Sequence, residues 1–197
     1  MKLGCIVMAA GASRRFGENK LLRELGGIPL YRRALAAVPH DCFTGVVVVT
    51  SCMPVANHAQ TCGFTVVPNP DPEKGISRTI RLGLDALPHC DGILFMTADQ
   101  PLLTADSIHR ICDDFRQNPL SIVCAAADGI RGNPCLFPRS LFPALLALEG
   151  DRGGSAVIRE HPQLLRLVPV PAEELADTDT AEELARLEAC ISGGNFV

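Results

Sequence analysis

Ile6-Val7-Met8-Ala9-Ala10-Gly11-Ala12-Ser13-Arg14-Arg15-Phe16-Gly17-Glu18-Asn19-Lys20-Leu21-Leu22 decides how the rest of this chain is read. The run leading into it, Leu3–Ala9, has no polar alternation, as expected of a parallel strand buried on both faces. It ends in two alanines and opens into a loop of small residues, followed by two arginines, Gly17 and Lys20. Small residues let backbone N–H groups approach phosphate oxygens. Arg14, Arg15 and Lys20 supply cations for charge that the backbone leaves uncompensated. Taken alone, the pattern also fits a strand-to-helix turn with solvated basic residues.

Downstream, strand-like and helical patterns alternate. Strands are expected at Val46–Thr50, Phe64–Val67, Ile93–Thr97 and Ile122–Ala127, with later ones at Asn133–Phe137 and Leu164–Val170. Helices are expected at Ile28–Val38, Pro54–Thr61 and Leu141–Leu148. A further helix is marked by Ile76, Ile80, Leu84 and Leu87, and another by Ile108, Ile111, Cys112 and Phe115 with Thr104 as N-cap. Thr180-Ala181-Glu182-Glu183 is a capping box that starts the last helix. Such alternation predicts a single α/β domain, a three-layer αβα arrangement around a mostly parallel, Rossmann-like sheet. The domain is expected over residues 1–192, with 193–197 as a flexible tail.

Bulk properties narrow the function. At 197 residues and 47% hydrophobic, the chain can bury a full core without metal or disulfide staples. A formal net charge of -4 argues against nucleic-acid or membrane-surface partners while leaving room for a local cationic pocket. No apolar run reaches the roughly 18 residues of a membrane span, and the short apolar N-terminus reads as a core strand and not a signal peptide. The nine cysteines are odd in number and lack C-x-x-C spacing, and Cys5, Cys124 and Cys135 fall in apolar runs. Reduced thiols in a cytoplasmic enzyme fit this better than a disulfide framework. The five histidines show no ligand spacing, so the sequence assigns no zinc site.

Two common nucleotide loops fail on spacing. A G-x-G-x-x-G fingerprint needs an acidic residue about 20 positions on, at the end of the second strand. Here five residues separate Gly11 from Gly17, and the second strand ends Val49-Thr50-Ser51. A Walker A loop has one residue fewer between its glycines and a lysine directly after the second, where this chain has Glu18.

Ala9-Ala10-Gly11-Ala12-Ser13-Arg14-Arg15-Phe16-Gly17-Glu18-Asn19-Lys20 resembles the opening signature of nucleotidyltransferases with a glycosyltransferase-A-like fold, and within them the molybdenum cofactor cytidylyltransferases and their relatives. Four further groups of residues carry the likeness in the expected order: Asn69-Pro70 with Gly75–Leu84, Thr97-Ala98-Asp99-Gln100-Pro101, Gly132–Phe137 with Gly150-Asp151-Arg152-Gly153, and Asp177-Thr178-Asp179-Thr180. Phe16 stands where the signature usually has methionine. Arg78 and Thr79 stand where relatives often have serines, and Gly154-Ser155 where cytidylyltransferases tend to have alanine and arginine.

The resemblance implies attack by a phosphate monoester on the α-phosphorus of CTP, with molybdopterin as acceptor and pyrophosphate as leaving group. The nucleophile is already ionised near neutral pH, because a phosphate monoester has its second pKa near ~6. No protein base is required, and catalysis reduces to positioning and charge stabilisation. Ala9, Ala10, Gly11, Ala12 and Ser13 would cradle the triphosphate. Arg14 would hold its outer phosphates, and Lys20 the charge building at the α-phosphate. Asp99 would hold Mg²⁺, a hard cation suited to oxygen ligands, with Asp177 as second ligand. Asp179 fits that role or simple stabilisation of a helix N-terminus. Asn69 and Ser77 would line base and ribose, or serve as a turn and a cap. Asn133 and Cys135 would face the acceptor, while Arg131, Arg139 and Arg152 fit acceptor phosphate or plain surface. The resemblance also implies delivery of the product to a molybdenum hydroxylase. Alternatives remain: GTP as donor, a sugar or alditol phosphate as acceptor, or a non-catalytic protein that carries the molybdenum cofactor. A carrier that had lost its chemistry would be expected to lack Lys20 or Asp99, and this chain has both.

Overall fold

Buried strands with apolar residues on both faces need a helical layer on each side, and the computed structural model has that construction. It describes residues 1–11, 19–176, 178 and 181–192. Ala12, Ser13, Arg14, Arg15, Asp177, Asp179, Thr180 and the tail 193–197 therefore lie outside the described residues.

The chain runs β1 (Leu3–Ala9), a small hairpin β2 (Glu24–Leu25) and β3 (Ile28–Pro29), α1 (Leu30–Ala36), β4 (Gly45–Thr50), α2 (Met53–Thr61), β5 (Thr65–Pro68) and α3 (Ile76–Ala86). It continues through β6 (Gly92–Thr97), α4 (Ala105–Gln117), β7 (Ile122–Ala127), β8 (Ile130–Pro138), α5 (Phe142–Leu146), α6 (Gly154–Glu160), β9 (Leu165–Pro169) and α7 (Ala181–Ser192). The seven-stranded sheet has the order β5-β4-β1-β6-β8-β7-β9. Every neighbouring pair is parallel except those made by β8, which runs against both β6 and β7.

Alternate residues of each strand feed opposite cores. Cys5 and Val7 of β1, Val48 of β4 and Leu94 of β6 pack under α1, α2 and α4. Ile6, Val49 and Phe95 from the same strands pack under α3, α5 and α6. Leu25, Leu30, Leu102 and Leu187 form a third cluster that docks α7 against the β2–β3 hairpin and the start of α1.

The expected Ile28–Val38 helix begins two residues late. Gly26 and Gly27, at φ 59° and 74°, close a two-residue turn, so Ile28 pairs with Leu25 before the helix starts. The expected Leu141–Leu148 helix is shorter, at Phe142–Leu146. Helix α6 has no counterpart in the sequence expectations. Its buried Ala156, Val157 and Ile158 are consecutive and give no helical period. Thr104 caps α4 as expected, its hydroxyl accepting from the Ser107 N–H at 3.3 Å.

Strand order places the crevice. The chain moves outward from β1 to β4 and β5, then returns to β6 on the other side of β1. The order therefore reverses between β1 and β6, and open α/β sheets bind ligands past the carboxyl ends of the strands at such a point.

Candidate active site

The loops leaving β1 and β6 meet at that reversal. Ala98 N–H donates to the Met8 carbonyl at 3.2 Å, holding the two strand ends together. Beyond β1, the side chain of Asn19 accepts from the Leu21 N–H at 3.1 Å and starts a single turn, Lys20–Leu22. Leu21 is buried and anchors that turn, which leaves Lys20 directed across the crevice. Its Nζ lies 2.6 Å from Oδ2 of Asp99, an ion pair between side chains only 18% and 17% exposed. Residues 79 positions apart are thus brought into contact by adjacent parallel strands.

The other oxygen of Asp99 bears on metal binding. Among the described residues, Asp99 Oδ1 is buried without a hydrogen-bond partner, as are Thr97 Oγ1 and Gln100 Oε1. Buried polar atoms are ordinarily paired, so three orphans within four residues are a costly arrangement that a ligand would relieve. A carboxylate oxygen without a donor suits a hard divalent cation, so the residues present fit Mg²⁺. Asp177, the expected second ligand, lies outside the described residues.

The Asp99 loop is braced from behind by residues late in the chain. Thr178 Oγ1 donates to the Asp99 carbonyl at 3.1 Å, and Gln100 Nε2 to the Leu175 carbonyl at 3.3 Å. Glu174, 5% exposed, accepts from the backbone N–H and the hydroxyl of Thr104, each at 3.1 Å. Its carboxylate therefore sits at the N-terminus of α4, where the helix dipole favours negative charge. Glu174 falls outside every sequence motif, and only its packing partner 70 residues away gives it meaning. Glu174→Ala is expected to cost about 2 kcal/mol, because it removes charge-assisted hydrogen bonds from a buried carboxylate to the first turn of α4. Thermal unfolding should show a fall in Tm of about 4–8 °C. An unchanged Tm would mean that the brace carries no stability.

The remaining expected site residues divide. Ala9 and Ala10 are buried at the mouth of the first loop, and a Cβ on Gly11 would meet nothing within 4 Å among the described residues. Asn69, 1% exposed, spends its amide inside the protein. Its Oδ1 accepts from Arg78 Nε at 3.1 Å and the Asp71 N–H at 3.2 Å, and its Nδ2 donates to Thr79 Oγ1 at 3.2 Å. Asn69 is thus a brace for α3, and Arg78 and Thr79, where the sequence departs from its relatives, are the residues it braces. Arg78 is also paired with Asp71 at 2.8 Å. Ser77 is buried in the first turn of α3, its N–H bonded to the Gly150 carbonyl at 3.1 Å.

Reversal of β8 brings its first half to the end of the sheet where β6 runs into Asp99. Asn133, joined to Pro134 by a cis peptide, and the buried Cys135 lie on that half. The Cys135 thiol donates to the Gly132 carbonyl at 3.2 Å. Arg131 meets Ser155 at 3.2 Å. Arg139 lies beyond the far end of β8 on the Cys90 carbonyl, and Arg152 is an exposed partner of Glu160.

Comparison with known proteins gives the chain its family and agrees with its fold. Residues 5–165 match the family described as the MobA-like NTP transferase domain. The purine catabolism protein PucB of Bacillus subtilis (strain 168) is 26% identical over 95% of this chain and 96% of its own. A molybdenum cofactor guanylyltransferase of Rhodobacter capsulatus is 30% identical over 56% of this chain and 58% of its own. Among solved structures, the manganese complex of Rv0371C from Mycobacterium tuberculosis H37Rv superposes with a TM-score of 0.76 at 23% identity, covering 96% of this chain and 99% of its own.

Proposed function

Because the chain belongs to the MobA-like NTP transferase family and is a nucleotidyltransferase, we propose that it transfers CMP from CTP to the phosphate of molybdopterin, with Lys20 and Asp99 at the centre of the reaction. The approach of Lys20 Nζ to Asp99 Oδ2 at the strand-order reversal carries this reading. A molybdopterin phosphate oxygen attacks the α-phosphorus. The bond from that phosphorus to the bridging oxygen breaks, and pyrophosphate departs with its electrons. Ala9 to Ser13 present backbone N–H groups to the triphosphate, and Arg14 steadies its outer phosphates. Lys20 exchanges its carboxylate partner for phosphate oxygen when nucleotide enters, and neutralises charge on the leaving group. Asp99 and Asp177 would hold Mg²⁺, which would supply charge neutralisation and orientation of the triphosphate. The manganese bound in the Rv0371C structure and the unpaired Asp99 Oδ1 both favour a divalent-metal role. Asn69 and Ser77 shape the nucleoside side through α3, and Asn133 and Cys135 line the acceptor side.

GTP is the second reading of the donor, favoured by the likeness to a guanylyltransferase. Thermal unfolding with Mg²⁺ and CTP, GTP, ATP or UTP separates the two. A cognate nucleotide at about 100 times its Kd adds about 2.7 kcal/mol, a rise of about 5–10 °C for a chain of this size. CTP should give that rise and the others should not. The same rise with GTP alone replaces CTP as donor. Pyrophosphate release with CTP, Mg²⁺ and molybdopterin then tests the acceptor.

A further inference from the structure

We propose that Asp41, Cys42 and His109 form a second metal site, for a borderline divalent cation such as Zn²⁺, that fastens the turn entering β4 to α4. The site is separate from the crevice: Lys20 and Asp99 follow the exits of β1 and β6, whereas residues 41 and 42 precede the entry of β4.

One ligand atom from each of the three side chains lies within 4.8 Å of the other two. His109 Nδ1 lies 2.8 Å from the Ala105 carbonyl one helical turn back, a contact that needs the proton on Nδ1. The neutral ring then directs the lone pair of Nε2 outward, and what it meets is the Asp41 carboxylate, with both oxygens at 3.1 Å. Two acceptors cannot face each other at that distance without a positive charge between them. A second proton on the ring supplies it in the metal-free protein. Accordingly the Asp41 carboxylate raises the His109 pKa above its ordinary value, and the imidazolium lowers that of Asp41. A metal ion serves the same purpose. Metal-bound histidine characteristically donates its other N–H to a backbone carbonyl, as His109 does to Ala105.

Cys42 selects the metal. The residue is 6% exposed, and Arg116 donates to its backbone carbonyl at 3.4 Å, which holds the turn that carries the thiol against α4. Nitrogen, sulfur and carboxylate oxygen together suit Zn²⁺ or Co²⁺, whereas Mg²⁺ prefers oxygen alone. Metal bonds of about 2.0–2.3 Å place tetrahedral ligand atoms about 3.3–3.7 Å apart. The His109–Asp41 separation is already near that range. The fourth position is left to water or to Cys112, on the same face of α4 as His109 and beside Cys42. The spacing of 41, 42 and 109 along the chain gives no sign of the site; only packing of α4 against the turn creates it.

Titration of the metal-free protein with Co²⁺ tests this. A thiolate ligand gives an intense near-ultraviolet charge-transfer band, which an oxygen-only site such as that of Asp99 cannot. Wild type and Asp99→Ala should show the band, saturating at about one equivalent. His109→Gln, an exposed-side change that leaves the core untouched, should weaken Co²⁺ binding about a hundredfold, and Cys42→Ser should abolish the band. The proposal is overturned if wild type shows no band. It is equally overturned if the band survives both substitutions, as one arising at the end of α2, where His58 Nε2 and Cys62 Sγ lie 3.8 Å apart, would.

Discussion

Lys20→Ala is expected to lower kcat by about two to three orders of magnitude in a pyrophosphate-release assay, a loss of about 3–4 kcal/mol of transition-state stabilisation. The size follows from what the ammonium faces. In the resting protein it is held 2.6 Å from Asp99 in a crevice that exposes less than a fifth of either side chain. Charge developing there on a leaving pyrophosphate is poorly served by water. Lys20→Arg keeps the charge but replaces a compact ammonium by a planar fork, so it should restore only part of the rate. The partner substitution separates the two roles. Asp99→Asn removes a ligand charge and should raise the Mg²⁺ concentration needed for half-maximal rate. Lys20→Ala frees the Asp99 carboxylate from its cation and should leave that concentration unchanged or lower it. Undiminished kcat in Lys20→Ala would remove the mechanism. Identical Mg²⁺ dependence in the two variants would remove the division of labour.

Gly75→Ala should be the most destabilising glycine-to-alanine change among the described residues, costing about 3–5 kcal/mol by equilibrium urea unfolding. Two effects coincide. Gly75 has φ 90° and ψ 176°, a region that residues with a Cβ essentially never adopt, at a cost of about 1–3 kcal/mol. A Cβ there would also stand 2.3 Å from the carbonyl carbon and oxygen of Gly150 and 2.8 Å from the Asp151 nitrogen. Backbone atoms cannot swing aside as a side-chain tip can. Gly63→Ala is the control for a positive φ in open space, because φ there is 76° and a Cβ meets nothing within 4 Å among the described residues. It should cost about 1–2 kcal/mol. If the two substitutions cost the same, the contact between Gly75 and Gly150 places no constraint on the fold. If they differ as expected, nucleotide binding should fall as well, since α3 begins at this contact and carries Ser77 and Thr79.

The parts legible in the sequence are those governed by local rules. Leu3–Ala9 and Ile122–Ala127 coincide with β1 and β7, because a buried strand announces itself by an unbroken apolar run. Thr104 was legible as a cap because capping acts over three residues. The direction of β8 had a local sign as well: Asp128 and Gly129, at φ 51° and 76°, form the tight turn that reverses the chain. Lys20 and Asp99, which the sequence marks by residue type, are brought together by the fold. What was not legible is a residue that serves another residue. Asn69 reads in the sequence as a nucleotide contact or a turn residue, and only the fold brings Arg78, Asp71 and Thr79 to its amide. Glu174 has no local pattern, since its value lies in a helix N-terminus that only the fold brings to it.

The family match ends at residue 165, yet the Asp99 loop leans on what comes afterwards. A fragment stopped at that boundary would retain the motifs through Gly153 while forfeiting β9, Glu174 and Thr178. Swapping tails between relatives would therefore perturb catalysis by proxy. β9, Glu174, Leu175 and Thr178 act as a keel beneath the Asp99 loop, so grafts should be cut ahead of β9 and carry everything that follows as one piece.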